Sequence, residues 1–159
     1  MKTPRMLVAA VAGAALLLSG CGTANTAAIV DGHRITQSGL QEAAEQIAQY
    51  APQPMPARDV LTRLIIAPTV LDVLGEREVT ITDAAARSRL ADIDAPVPYV
   101  VELTRLDLAI GQMTQEDFAE ITSRLGELDV DVNPRYGEFN ADQVAVVPAT
   151  AEWIVSPAG

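Results

Sequence analysis

Among 159 residues the chain has one cysteine, one histidine and one lysine. A single cysteine cannot close an intrachain disulfide, so the fold must rest on its core. Zinc sites gather several histidine and cysteine ligands, and one of each is too few. A serine–histidine pair would have to use His33. Ser38 is the serine nearest to it in sequence, but it stands in a helix-start context, and no Gly-x-Ser-x-Gly occurs. No internal repeat and no low-complexity block is present. The uncharged apolar run from Met6 to Leu18 is shorter than the roughly 20 residues that span a bilayer. Lys2 is the only lysine and every other cation is arginine, the compositional habit of a GC-rich, for example actinobacterial, genome.

The formal charge is −10, from 21 acids against 11 cations. That balance argues against nucleic acid as a partner and against direct adhesion to anionic lipid. Paired carboxylates such as Asp92 and Asp94 arise without function in so acidic a chain. No catalytic residue, metal site or soluble cofactor is expected, and the chain reads as a non-enzyme.

The first residues have the parts of a secretory signal: Lys2 and Arg5, the apolar run, then the small residues Ser19 and Gly20 before Cys21. Leu18-Ser19-Gly20-Cys21 resembles the lipobox of bacterial lipoproteins. The resemblance implies a diacylglycerol on the Cys21 thiol and cleavage between Gly20 and Cys21. Residues 1–20 would then be removed, and with them Lys2 and Arg5, leaving nine cations against 21 acids, or −12. The acyl lipid would hold the protein on the outer face of the plasma membrane. Each buried methylene contributes about 0.8 kcal/mol, and two or more chains anchor stably where one does not.

Residues 21–27 are small or polar and read as a tether, leaving 28–159 as one domain with an irregular C-terminal tail. Asp31-Gly32 between short apolar runs predicts a hairpin. Thr36 can cap a first helix over Gln37 to Gln49. Pro52, Pro54 and Pro56 make a loop. A second helix starts near Ala57 with Val60, Leu61, Leu64, Ile65, Leu71 and Leu74 on its apolar face, and Pro68 should kink or split it. Thr82 caps a third helix to about Ile93; a fourth starts at Pro98 with Val100, Leu103, Leu106 and Ile110 on one side. Thr114 to Asp117 resembles a capping box before a fifth helix carrying Phe118, Ile121, Leu125 and Leu128. Leu128, Val130 and Val132 then alternate with polar residues, as in a half-buried strand, and Asn133 to Gly137 reads as a turn. The fold class is mainly α with a small antiparallel β element.

The run Ala28-Ile29-Val30-Asp31-Gly32-His33-Arg34-Ile35-Thr36, two helices, then Val79-Thr80-Ile81-Thr82-Asp83 resembles the SurA N-terminal domain, also found in PrsA-type foldases. The matching stretch is about residues 28–93, and Asn133 to Gly137 resembles a segment that closes such domains. The resemblance implies a SurA N-domain-like helical bundle, pairing of the strands near Ile29 and Val130, and a chaperone-like, polypeptide-binding role in the envelope. Many members also carry a parvulin isomerase domain, typically with catalytic histidines. This chain has no room for one, so isomerase activity does not carry over. The expected partners are unfolded exported polypeptides, or alternatively one specific envelope protein for which the domain is a scaffold. An envelope hydrolase is the weakest of the three readings.

His33 beside the turn glycine reads as a solvated hairpin residue rather than a functional site. Asp129 to Asn133 resembles the start of a calcium loop, but Pro134 and Asn140 stand where glycine and glutamate are required, so the strand reading prevails. Half of the six aromatics, Tyr136, Phe139 and Trp153, come late in the chain. They form either a partner-binding patch or pins that hold a loose C-terminal segment on the core. Met55 in the proline loop is either a connector or a contact for clients.

Overall fold

In a computed structural model, which describes residues 24–51 and 53–149, the fold opens on a strand, β1 (Thr26–Val30). It turns at Asp31 and Gly32, whose φ angles of 47° and 80° are the pair a two-residue hairpin needs. Strand β2 (His33–Thr36) returns antiparallel, with Val30 opposite His33. Late in the chain β3 (Val130–Val132) adds to the other side of β1, giving the order β2-β1-β3 and the register Val30–Val130. The two ends of the domain therefore meet in one sheet, as expected for the strands near Ile29 and Val130. Asp31 and Asp129 close the junction: the Asp31 amide donates to the Asp129 carbonyl at 2.9 Å, and the Asp129 amide to the Asp31 carboxylate at 3.0 Å.

The stretch expected to be tether folds from Thr26 onward. Ala27 is 0% exposed in β1, and the Ala27 carbonyl accepts the Asn133 amide at 2.9 Å. Asn25 caps the first helix, accepting the Ser38 amide at 2.9 Å while its Nδ2 donates to Ser38 Oγ at 3.0 Å. Small residues look like linker until a distant strand pairs with them.

Helix α1 (Gln37–Tyr50) follows, with Thr36 Oγ1 accepting from Gly39 N–H as its cap. Helix α2 (Ala57–Glu76) is one continuous helix, so Pro68 does not split it. Proline in a helix interior costs about 3 kcal/mol. Pro68 faces outward, while its neighbours Ala67, Thr69 and Val70 are buried. On either side of it in the same helix, Leu61, Ile65 and Leu74 are fully buried, and each contributes about 1.5–3 kcal/mol, which outweighs that cost. Helix α3 (Asp83–Arg89) stops short of Ile93. Residues 90–95 run in turns, and Ala95, with φ 50°, leaves the helical region just before Pro96.

Helix α4 (Pro98–Ile110) and α5 (Gln115–Leu125) complete the helices seen among the described residues. The expected apolar faces hold at Val100, Leu103 and Leu106 of α4 and at Ile121 and Leu125 of α5, all buried, and one residue of each helix departs from them. Ile110 is 48% exposed and Ala109 is buried instead; Phe118 is 62% exposed while Asp117 is only 2% exposed. Asp117 turns inward because its carboxylate accepts the Thr114 amide at 2.7 Å and hydroxyl at 2.8 Å and pairs with Arg77 of the α2–α3 connection. The expected capping box is thus present, and it holds Asp117 inward at the start of α5.

The tail expected to be irregular carries a second ladder. Strand β4 (Glu138–Asn140) pairs antiparallel with β5 (Ala145–Val147), Phe139 opposite Val146. The architecture is mainly helical with two small antiparallel sheets. One core cluster joins the three-stranded sheet to α1, α2 and α4 through Val30, Leu40, Leu64 and Val100. A second joins α2, α4 and α5 through Leu74, Leu106, Ile121 and Leu125. Helix α2 runs through both, which makes it the central core helix that its apolar sequence suggests. No helix among the described residues is long and apolar enough to cross a membrane.

Candidate functional site

The stretch with Pro54 and Pro56 leads into α2 beside an apolar surface. Met55, in that stretch, borders a depression on each side. The larger, about 450 Å³, is floored by Leu40, Ala44, Ala48, Met55 and Tyr136. Its rim is polar, with Gln37, Gln41, Glu45 and Arg135. The smaller, about 260 Å³, is walled by Ile47, Tyr50, Leu90, Ile93 and Leu103. Its rim carries the Arg63–Asp107 ion pair. The α1 residues Leu40, Ala44, Ile47 and Ala48 are helically spaced, so one apolar stripe serves the core and both depressions. An apolar floor with a wet rim is the chemistry of a groove for side chains of another polypeptide.

Tyr136 is held firmly in this groove. In the Asn133 to Gly137 turn, the Tyr136 amide donates to the Asn133 carbonyl at 2.9 Å and the Arg135 amide to Asn133 Oδ1 at 3.1 Å. Asn133 Nδ2 in turn donates to the Thr26 carbonyl at 3.0 Å. Arg58 Nε donates to the Tyr136 carbonyl at 3.1 Å. The Arg135 guanidinium lies 5.8 Å from the Tyr136 ring centroid and donates to Gln37 Oε1 at 2.9 Å. The floor is therefore rigid on the Tyr136 side, with an arginine fixed at its edge.

The aromatic trio does not come together as one patch within the described residues. Tyr136 lines the groove, and Phe139 packs against the core beneath β4 and β5. Trp153 lies outside the described residues, as do Gly20 and Cys21. The link between Met55 and Tyr136, 81 positions apart, is long-range, and no local pattern in the sequence announces it.

A separate cleft of about 470 Å³ lies between the β1–β2 hairpin, α2 and α4. Val30, Ile35, Leu64 and Tyr99 give it an apolar lining, with Asp72, Glu102 and His33 among its polar residues. Burial pushes the Glu102 carboxyl above the usual range, against the opposing attraction of Arg105, while the nearby Asp83 charge pushes the same way as burial. His33 is exposed at the sheet edge. Ser38 is engaged by Asn25 at the start of α1, and Asp92 and Asp94 are exposed in the α3–α4 connection. Among the described residues, no three histidine, cysteine or acidic side chains gather as a metal-holding group. Asp129 and Asp131 are exposed beside and within β3.

No family model, curated protein or solved structure matches the chain.

Proposed function

We propose that the chain is a lipid-anchored envelope protein whose domain holds extended polypeptide segments, a holdase-like role without isomerase chemistry. The observation that carries this reading is the pair of apolar depressions meeting at Met55, open to solvent and rimmed by polar side chains. A client would bury apolar side chains against Leu40, Met55 and Tyr136, at about 25 cal/mol per Å² of apolar area. Ordering an extended chain takes back several kcal/mol of that gain, so binding is weak and reversible, as holding and release require. Methionine adapts its shape to different side chains, which suits a groove that takes many sequences. The lipobox-like Cys21 would keep this groove at the membrane, where exported chains emerge.

The test is aggregation of a chemically unfolded client, followed by light scattering, with the purified full chain present at near-stoichiometric amounts. Suppression that is lost in Met55→Asp supports the reading; no suppression across several clients overturns it. A second reading, a scaffold for one folded envelope protein, is favoured by Phe118 and Ile110, which present large apolar side chains to solvent at the α4–α5 corner. It predicts a saturable complex that Phe118→Asp abolishes and Met55→Asp leaves intact.

A further inference from the structure

The cleft between the β1–β2 hairpin, α2 and α4 takes no part in the polypeptide reading. Its volume, about 470 Å³, falls within the roughly 300–1,000 Å³ of small-molecule sites. Helix α2 contributes Leu64, Pro68 and Asp72, spaced by four and so on one face. Helix α4 contributes Tyr99 and Glu102, spaced by three. Each helix thus sets a carboxylate one turn beyond an apolar residue. Pro68 is exposed and Tyr99 half-buried, so these two are the apolar surface that an entering ligand meets.

The charges choose the ligand. Three carboxylates, Asp31, Asp72 and Glu102, line the cleft against one guanidinium, Arg34, and the imidazole of His33. Asp31 is engaged, accepting the Asp129 amide at 3.0 Å. Among the described residues, Asp72 and Glu102 form no ion pair and no side-chain hydrogen bond. Arg105, one turn on from Glu102, is held by others: its Nε donates to the Ile81 carbonyl at 3.0 Å and its Nη1 pairs with Asp83 at 3.3 Å. Its attraction for Glu102 acts only through space and does not offset burial, so the Glu102 carboxyl stays above its usual range. A half-buried carboxylate without a direct counter-ion gains most from a cation that arrives.

We propose that this cleft binds a small organic cation, an ammonium group on an apolar body, with the body against Pro68 and Tyr99 and the ammonium at Asp72 and Glu102. A neutral ligand would leave Glu102 uncompensated, and an anion would meet three carboxylates. The charge of −10 on the whole chain draws cations toward it as well. The cleft is separate from the Met55 groove, so this proposal and the polypeptide reading stand or fall independently.

The test is calorimetric titration of the full chain at neutral pH with phenylbutylammonium, and with phenylbutanol as the uncharged probe of the same body. One-to-one binding of the amine is expected, with the alcohol about tenfold weaker because it forgoes the charged contacts. Glu102→Gln and, separately, Asp72→Asn should each weaken the amine about fivefold, the size of a partly exposed charge pair, and leave the alcohol unchanged. Asp142→Asn removes the same charge from an exposed position between β4 and β5 and should change neither. Amine binding that does not saturate up to about 10 mM overturns the proposal. So does an alcohol that binds as tightly as the amine. An equal loss in Asp142→Asn and Glu102→Gln also overturns it, because the effect is then one of net charge. Displacement of the amine by an unfolded, lysine-bearing peptide at lower concentration does the same, since the cleft then serves polypeptide side chains. Asp72 is exposed, so Asp72→Asn keeps the test decisive where Glu102→Gln alters the fold.

Discussion

The ring of Tyr99 fills the space beside Gly39: a Cβ added there would lie 2.7 Å from Tyr99 Cε2 and 2.9 Å from Thr36 Oγ1. The Tyr99 hydroxyl also accepts the Thr36 amide at 3.1 Å. The first turn of α1, its cap and α4 are thus locked by one aromatic ring. On helix propensity alone, alanine at a helical glycine gains about 1 kcal/mol. Here overpacking reverses the sign, and Gly39→Ala is expected to lose about 1–3 kcal/mol in denaturant unfolding. Tyr99→Phe keeps the ring and removes the acceptor, for a loss of about 1 kcal/mol. A stabilised Gly39→Ala would show that the ring moves aside.

Gly137 and Gly75 make the opposite pair. Gly137 has φ 122° and would place a Cβ 1.9 Å from the Val147 carbonyl oxygen, whereas Gly75 in α2 has nothing within 4 Å. Gly137→Ala must strain the backbone and push β5 away, at a cost of at least about 2 kcal/mol. Gly75→Ala meets open space and is expected to stabilise by about 0.5–1 kcal/mol. Thermal unfolding of the two variants, measured side by side, should move in opposite directions.

Two carboxylates give stability opposite dependences on pH. The Thr114 amide foremost, then Arg77 and the Thr114 hydroxyl, hold the Asp117 carboxyl below its ordinary range, against the effect of burial. Its contribution is fully present above the unfolded carboxylate pKa, about 3.9, and is lost as pH falls toward the lower folded value. Glu102 is raised by burial first. The folded state binds its proton more tightly, so stability falls as pH rises from the unfolded value, about 4.3, through the higher folded one. Asp117→Asn should therefore lower the melting temperature at pH 7 and much less at pH 3. Glu102→Gln should raise it at pH 7 and leave it unchanged at pH 3. Melting curves between pH 3 and 7 check both, and parallel curves for variant and parent would contradict the assignments.

These local arrangements explain which parts of the fold the sequence reveals. The Asp31-Gly32 turn, the Thr36 and Thr82 caps and the Thr114–Asp117 box act over two to four residues, so residue type and spacing suffice. The start of α5 does not follow the same way. Ile121 and Leu125 are buried as apolar spacing suggests, but at the first turn Arg77, 40 positions earlier, pairs with the inward Asp117 and Phe118 is left exposed. Strands β4 and β5 have three residues each, too few for a period to register. Thr26 and Ala27 look like linker because their partners, Thr36 and Asn133, are supplied by later segments. The groove is the extreme case, since Leu40, Met55 and Tyr136 come from three separate stretches.

The anchor is tested at Cys21. The apolar run ending at Leu18 is shorter than a stable bilayer span, and a chain cut before Cys21, at −12, would gain nothing from anionic lipid. On the lipoprotein reading, membrane retention would come from acyl chains, which at about 0.8 kcal/mol per buried methylene hold strongly once two or more are attached. Cys21→Ser removes the thiol that would carry them. The expected outcome is loss of the lipidated mature form: the chain runs as an uncut precursor about 20 residues longer and takes up no labelled fatty acid. The mature-sized band should also leave the alkaline-washed membrane fraction. Because Asn25 is already bonded to Ser38, only Gly22, Thr23 and Ala24 separate Cys21 from the fold. Those three residues and the next peptide link reach at most about 14 Å, so a domain anchored at Cys21 would stay beside the lipid surface. Unchanged processing and unchanged retention in Cys21→Ser would remove the anchor, and with it the reason for the groove to face emerging chains.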